Sequence, residues 1–220
     1  MDIAEDLTSG YPGLRVLELR MLNLHCKPAD ESLNRFKIEV QNRIRSRTSS
    51  LDEVKNQPIF RAYRDFFWKV GVDPTKTRPA GEALTRRILA GRDLPRVNTI
   101  VDAYNLASVE TSVAIAAFDL RKVSERELLM RRSTAGELFY GIGMDESGSL
   151  SGLEVVIEDK ASRRLIAVYP YRDSDDSKID EGTTDVLFMM CGVPGIEDSV
   201  LERAKELTFE YVTRFCSQKA

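Results

Sequence analysis

Histidine is nearly missing from this chain, and that shortage removes more chemistry than any other feature of its composition. One histidine, His25, stands among 220 residues, so any Ser–His or Cys–His nucleophilic pair would have to pass through it. It lies at the end of an expected strand beside Cys26, and catalysis is not assigned to it. Cysteine is scarce too: Cys26, Cys191 and Cys216 are odd in number, far apart and set among apolar neighbours. Neither a disulfide framework nor a C-x-x-C metal site is supported, and buried thiols are expected. No run approaches the roughly 18 apolar residues of a membrane span. The start MDIAEDLTSG is acidic where a signal peptide is basic and then apolar, so a cytoplasmic location with no membrane partner is expected. Neither G-x-x-x-x-G-K-[ST] nor G-x-G-x-x-G occurs, and G-I-G-M at 141–144 lacks the following helix that a phosphate loop requires. The acidic string Asp173, Asp175, Asp176 lacks the central glycine and terminal glutamate of an EF-hand and reads as a solvated loop. No cofactor and no metal are expected.

What is present suits a globular chain: 42% of residues are hydrophobic and 30% charged, enough apolar surface to fold without disulfides or metal. The net charge of −3 excludes a uniformly basic RNA-coating protein but not a local cationic patch. Between Arg61 and Arg96 nine Lys/Arg face four acids, whereas the stretch from Asp173 to Asp185 is mostly acidic. A phosphate-facing surface would begin in the first of these.

Leu17, Leu19 and Met21 alternate with Glu18 and Arg20, which predicts a half-buried strand within 14–24. Leu33, Phe36, Val40 and Ile44 recur at helical spacing after Asp30, a plausible N-cap, and predict a helix over 31–46. Ser50 and Glu53 fit a capping box. A helix opens at Pro58 and closes at Gly71, with an aromatic core face, and shorter helices are expected over 79–90 and 98–109. Strands are expected at 113–118, 137–142, 153–158, 164–169 and 185–191. Val200, Ala204, Leu207, Tyr211 and Phe215 then form one stripe of a C-terminal helix. The expected fold class is α+β, with mixed β-sheets flanked by helices, a helical N-terminal half and a C-terminal helix. Residues 1–57 are expected to pack as strand and helix on a main domain of 58–220, the two forming one compact unit.

Asn98, Asp102 and Asn105 are the unusual constellation, because offsets of four and seven place them within about 60° on one helix. They either line a site or do structural work: Asn98 as a cap, Asp102 paired with an arginine such as Arg78 or Arg86, Asn105 satisfying backbone groups. Glu82 and Arg86 form an i,i+4 pair on a solvated face, or the arginines of this block meet phosphates.

Residues 78–108, R-P-A-G-E-A-L-T-R-R-I-L-A-G-R-D-L-P-R-V-N-T-I-V-D-A-Y-N-L-A-S, resemble the B3/B4 editing domain of the phenylalanyl-tRNA synthetase β subunit, in which N-x-x-V-D-x-x-N is a hallmark. Ala117-Phe118-Asp119 matches that family's A-F-D, and Y-P-Y-R-D-S-D-D-S-K-I-D-E-G-T-T-D-V-L-F at 169–188 is similar to its stand-alone members. The resemblance covers roughly residues 60–192. It implies a trans-acting domain that meets the acylated 3′ end of tRNA and hydrolyses wrongly attached amino acids, a second sieve for side chains that one pocket separates poorly. The polar stripe of Asn98, Asp102 and Asn105 is expected to line the main pocket with Tyr104 and Ala116 bordering it, and the local charge excess together with the resemblance points to at least one RNA phosphate contact among Arg78, Arg86 and Arg87, with no catalytic residue identified. Two departures bear on activity: Ala116 stands where synthetase members have a histidine, and Tyr104 where they have a threonine. The family's acidic residue after V-L-L falls near Met189. An acyl group smaller than tyrosyl is therefore expected. The alternatives are a non-catalytic RNA-binding module and a binding protein for an amino acid or nucleoside.

Overall fold

The computed structural model describes residues 1–48 and 50–217. A short strand β1 (Asp2–Ile3) and helix α1 (Glu5–Gly10) precede β2 (Arg15–Met21), the alternating segment. Helix α2 (Glu31–Arg47) starts where Asp30 accepts hydrogen bonds from the Ser32 and Leu33 N–H groups at 2.9 and 3.0 Å, and it buries Leu33, Phe36, Val40 and Ile44. Helix α3 (Leu51–Asn56) is capped by Ser50, which accepts from the Glu53 N–H at 3.1 Å. Helix α4 (Pro58–Lys69) buries Phe60, Tyr63, Phe66 and Phe67, as its aromatic spacing predicts. Helices α5 (Ala80–Leu89) and α6 (Thr99–Thr111) follow.

The second half is mainly strand: β3 (Ile115–Asp119), β4 (Leu128–Arg132), β5 (Leu138–Phe139), β6 (Gly148–Ser149), β7 (Val155–Asp159), β8 (Arg164–Tyr169), β9 (Arg172–Asp173) and β10 (Val186–Gly192). Helix α7 (Asp198–Cys216) ends the described chain and packs its Leu201, Ala204, Leu207, Tyr211 and Phe215 stripe inward, mostly against α6. The fold is α+β. One sheet runs β1-β4-β7-β8-β9, a second β2-β10-β3, and β5 and β6 make a separate ribbon. Only the β1–β4 pair is parallel, which makes the first sheet mixed. Strand β2, from the N-terminal segment, pairs antiparallel with β10 from Met21–Val186 to Arg15–Gly192, so it belongs to the central sheet rather than lying on its surface.

Two expectations change. The strand expected over 137–142 reduces to Leu138–Phe139, because the chain turns at Gly141. A Cβ built on Gly141 would lie 2.4 Å from Cδ and 2.7 Å from Cγ of Arg172, so the glycine makes room for the arginine stem. The short strands β1, β4, β6 and β9 and helix α1 were not expected. Cys26, Cys191 and Cys216 are free and buried. Among the described residues no helix is long and apolar enough to cross a membrane.

Candidate functional site

Strand β3 ends the second sheet and β9 ends the first, and these two edges meet. The Ala117 N–H reaches the Asp173 Oδ2 at 3.4 Å across the seam. Behind that contact lies a cavity of about 160 Å³. Its walls are Ala114–Ala116 of the β3 segment, Ala167–Tyr169 of β8, Cys191 of β10 and Ala80 at the start of α5, with Tyr104 and Asn105 supplied by α6. Small side chains at Ala80, Ala114, Ala116 and Ala167 leave the space open. Tyr104 sets its ring edge against Phe188, with centroids 5.8 Å apart, and so belongs to core and cavity together.

Three polar side chains border this space with almost nothing to bind. Among the described residues the Tyr104 hydroxyl, the Asn105 amide and the Asp173 Oδ1 have no hydrogen-bond partner, and no cation pairs with Asp173. All three residues are half-buried and none of these atoms is fully enclosed, so water reaches them until a ligand takes its place. Burial pushes the Asp173 carboxyl up to about 7, opposed only by the Ala117 N–H. Burial also raises the Tyr104 hydroxyl and the Cys191 thiol, each helped by the Asp173 charge. Both therefore stay protonated at neutral pH, and Cys191 is no nucleophile. Arg172 turns away: it donates to the Ile142 carbonyl at 3.0 Å and stacks over Tyr171, 5.6 Å from the ring centroid.

The residues singled out in N-x-x-V-D-x-x-N divide. Asn98 is the α6 N-cap, accepting from the Val101 N–H at 2.9 Å, and it is buried away from the cavity lining. Asp102 is buried in an ion pair with Lys37 at 2.7 Å and also accepts from the Val97 N–H at 3.1 Å. Its expected partners Arg78 and Arg86 are thus replaced by a lysine of α2, which the packing of α2 on α6 brings close. Lys37 also donates to the Pro95 carbonyl at 2.8 Å. Tyr104, Asn105 and Ala116 do line the cavity, and Asp173 joins them. The reading of Asp173 as part of a solvated loop is corrected: β9 pairs it opposite Ala167 of β8 and turns it inward, while Asp175 pairs with Lys178 and Asp176 is exposed.

Arg78, Arg86 and Arg87 share a surface groove of about 510 Å³ with Arg92 and Pro95. Arg78 and Arg92 are exposed and, among the described residues, unpartnered, whereas Arg87 donates to the Asp93 carbonyl. Arg86 is held by Glu82 at 2.9 Å, and Arg64 bonds both oxygens of that carboxylate at 3.1 Å. Glu82 is completely buried, so the expected solvated pair is instead a buried acid gripped from two sides. Arg78, which lines the groove, stands two residues before Ala80, which lines the cavity. His25 is exposed and outside the cavity lining, and Met189 is fully buried in the core. Asp119 of the A-F-D triplet is structural: Arg121 bonds both its oxygens and the Thr183 hydroxyl donates to it at 2.8 Å. A larger hollow of about 340 Å³ along α4 is walled by Arg61, Asp65 and Lys69, but none of the motif residues reaches it.

The B3/4 domain model matches residues 62–215, and the chain belongs to the B3/4 domain family. A crystal structure of an N-terminal fragment of the phenylalanyl-tRNA synthetase β-subunit from Pyrococcus horikoshii is similar over 97% of this chain and 48% of that one, at 12% identity and a TM-score of 0.49. This chain therefore spans about half the length of that fragment. No curated protein matches the chain.

Proposed function

We propose that the protein binds the acylated 3′ end of a tRNA and releases wrongly attached amino acids from it. One observation carries this reading. A small cavity bordered by unpartnered polar side chains has Ala80 in its wall, two residues after Arg78 of a groove with four arginines suited to phosphates. The groove would hold the terminal nucleotides and the cavity the acyl group. In hydrolysis a water oxygen attacks the acyl carbon, the ester C–O bond breaks, and the ribose hydroxyl leaves with a proton. The Asn105 amide and Tyr104 hydroxyl are the groups positioned to orient that water or the carbonyl oxygen, and such positioning needs no protein nucleophile.

Volume favours a small acyl group. An apolar cavity of about 150 Å³ accommodates benzene, so about 160 Å³ suits roughly six to eight heavy atoms. Alanyl, seryl, threonyl and valyl groups fit that limit, and tyrosyl, with about twelve, exceeds it. Deacylation of a panel of charged and mischarged tRNAs tests the proposal: release of small amino acids with tyrosyl esters intact is expected, and the reverse preference refutes it. Binding should weaken steeply with salt, and Arg78→Gln or Arg92→Gln should each flatten the log–log slope by about one. The replacement of the family's histidine by Ala116 favours a second reading, a module that binds acylated tRNA without turnover, which the same panel identifies as binding with every ester preserved.

A further inference from the structure

Among the described residues four acids are buried, and each is satisfied. Glu82 has Arg64 and Arg86, Asp102 has Lys37, Asp119 has Arg121 and Thr183, and Asp159 accepts from the backbone N–H groups of Ser124, Ala161 and Ser162. Asp173 is half-buried and, among the described residues, keeps one long contact, at 3.4 Å from Ala117 N; it is the acid that borders the cavity. A neighbouring cation exists and is not used, since Arg172 is directed to the Ile142 carbonyl and over Tyr171. Apart from Arg172 and the uncharged Asn105 amide, Tyr104 hydroxyl and Cys191 thiol, the walls are mainly alanines, Ile115, Ile157, Val168 and aromatic rings, which solvate a carboxylate poorly.

We propose that Asp173 is the specificity group of the cavity, its carboxylate receiving the free α-ammonium group of the aminoacyl moiety, so that the site takes aminoacyl groups and rejects des-amino or N-blocked acyl groups. This rests on the cavity being the acyl site of the function proposed above. A single cation supplies what the structure withholds, a charged donor for a carboxylate in apolar surroundings, and charge-assisted hydrogen bonds of this kind are the strong ones. The groups facing Asp173 do not compete: Tyr104 from α6 and Cys191 from β10 are neutral, and Arg172, on its own strand, is engaged elsewhere. Below pH about 7 the carboxyl holds its proton, so an arriving ammonium displaces that proton into solution.

Two non-hydrolysable probes separate the possibilities: 3′-deoxy-3′-(L-alanylamino)adenosine, and its 3′-propanoylamino counterpart, which lacks only the amine. Titration calorimetry on the whole protein at pH 7.5 is expected to give at least about tenfold tighter binding of the alanyl probe. Asp173→Asn should erase most of that preference while leaving propanoyl binding within about twofold. At pH 6 the alanyl probe should release a proton, read as an enthalpy that depends on buffer ionisation. Equal binding of both probes, or a preference that survives Asp173→Asn, overturns the proposal. So does failure of both probes to bind, which also removes the cavity as the acyl site. An Asp173-dependent preference in a protein that neither binds nor deacylates tRNA sustains the ammonium anchor and refutes the tRNA function alone. Were Asp173 instead a base for the attacking water, its substitution would slow ester hydrolysis and leave the two probes' affinities in their original ratio.

Discussion

The first turn of helix α6 and its middle both carry polar residues and use them oppositely. At its start Asn98 and Asp102 are buried and satisfied, one closing the helix N-terminus and the other paired with Lys37. One turn on, Tyr104 and Asn105 are half-buried, and their polar atoms have no partner among the described residues. The first pair holds the helix in place, and the second is held by it, facing a cavity. A shared motif therefore does not imply a shared role, and the distinction rests on which polar atoms the fold has already used.

The sharpest way to break this comparison is Asp102→Ala, which strands the Lys37 ammonium in the core and should lower unfolding free energy by about 3–5 kcal/mol in urea titration. Lys37→Met with Asp102→Leu should recover most of that loss. Next in size, and opposite in sign, is Asp173→Asn. Burial raises the Asp173 carboxyl to about 7 from an ordinary value of 3.8, so the folded state keeps a proton that the unfolded chain releases. The stability this group contributes is complete below about pH 3.8 and is lost progressively as pH rises through about 7. Asp173→Asn should accordingly stabilise the protein by roughly 2–4 kcal/mol at pH 8 and by little at pH 4, a difference read from paired melts. Asn98→Ala removes a cap and should cost about 1 kcal/mol, with ligand affinity unchanged. Smallest in stability is Asn105→Ala, expected within about 0.5 kcal/mol of the parent while weakening the alanyl probe severalfold. A large loss of stability in Asn105→Ala would give the start and the middle of α6 the same structural role.

Helices were legible because each carried its own punctuation. Asp30, Ser50, Pro58 and Asn98 mark starts, and the apolar spacing of α2, α4 and α7 matches the buried faces. Strand β8 coincides with its expected limits, since Arg164–Tyr169 is a continuous run between turns. Two-residue strands such as β1, β6 and β9 have no period to read, and β4 hides because Leu129 interrupts the alternation of Leu128 and Met130. Tyr104, Asn105 and Ala116 were legible from the motif; Asp173 was not, because Arg-Asp-Ser-Asp-Asp reads as solvated surface. The signal that could have found it is the turn at Pro170: a hairpin returning along β8 places Asp173 opposite Ala167, on an inward position. Lys37 was unreadable as well, being one of two polar residues, with Gln41, on the buried face of an otherwise ordinary amphipathic helix.

That lysine has a mechanical consequence. Its ammonium grips the Asp102 carboxylate and, at 2.8 Å, the Pro95 carbonyl, so the connection between α5 and α6 is riveted to both α2 and α6. Arg92 and Arg96 flank the rivet. The connection between the arginine groove and the cavity-bearing helix thus behaves as part of α6 rather than as a hinge. On the tRNA reading proposed above, cationic side chains on an already ordered backbone would lose less freedom on engaging phosphates, a saving in entropy made before the RNA arrives.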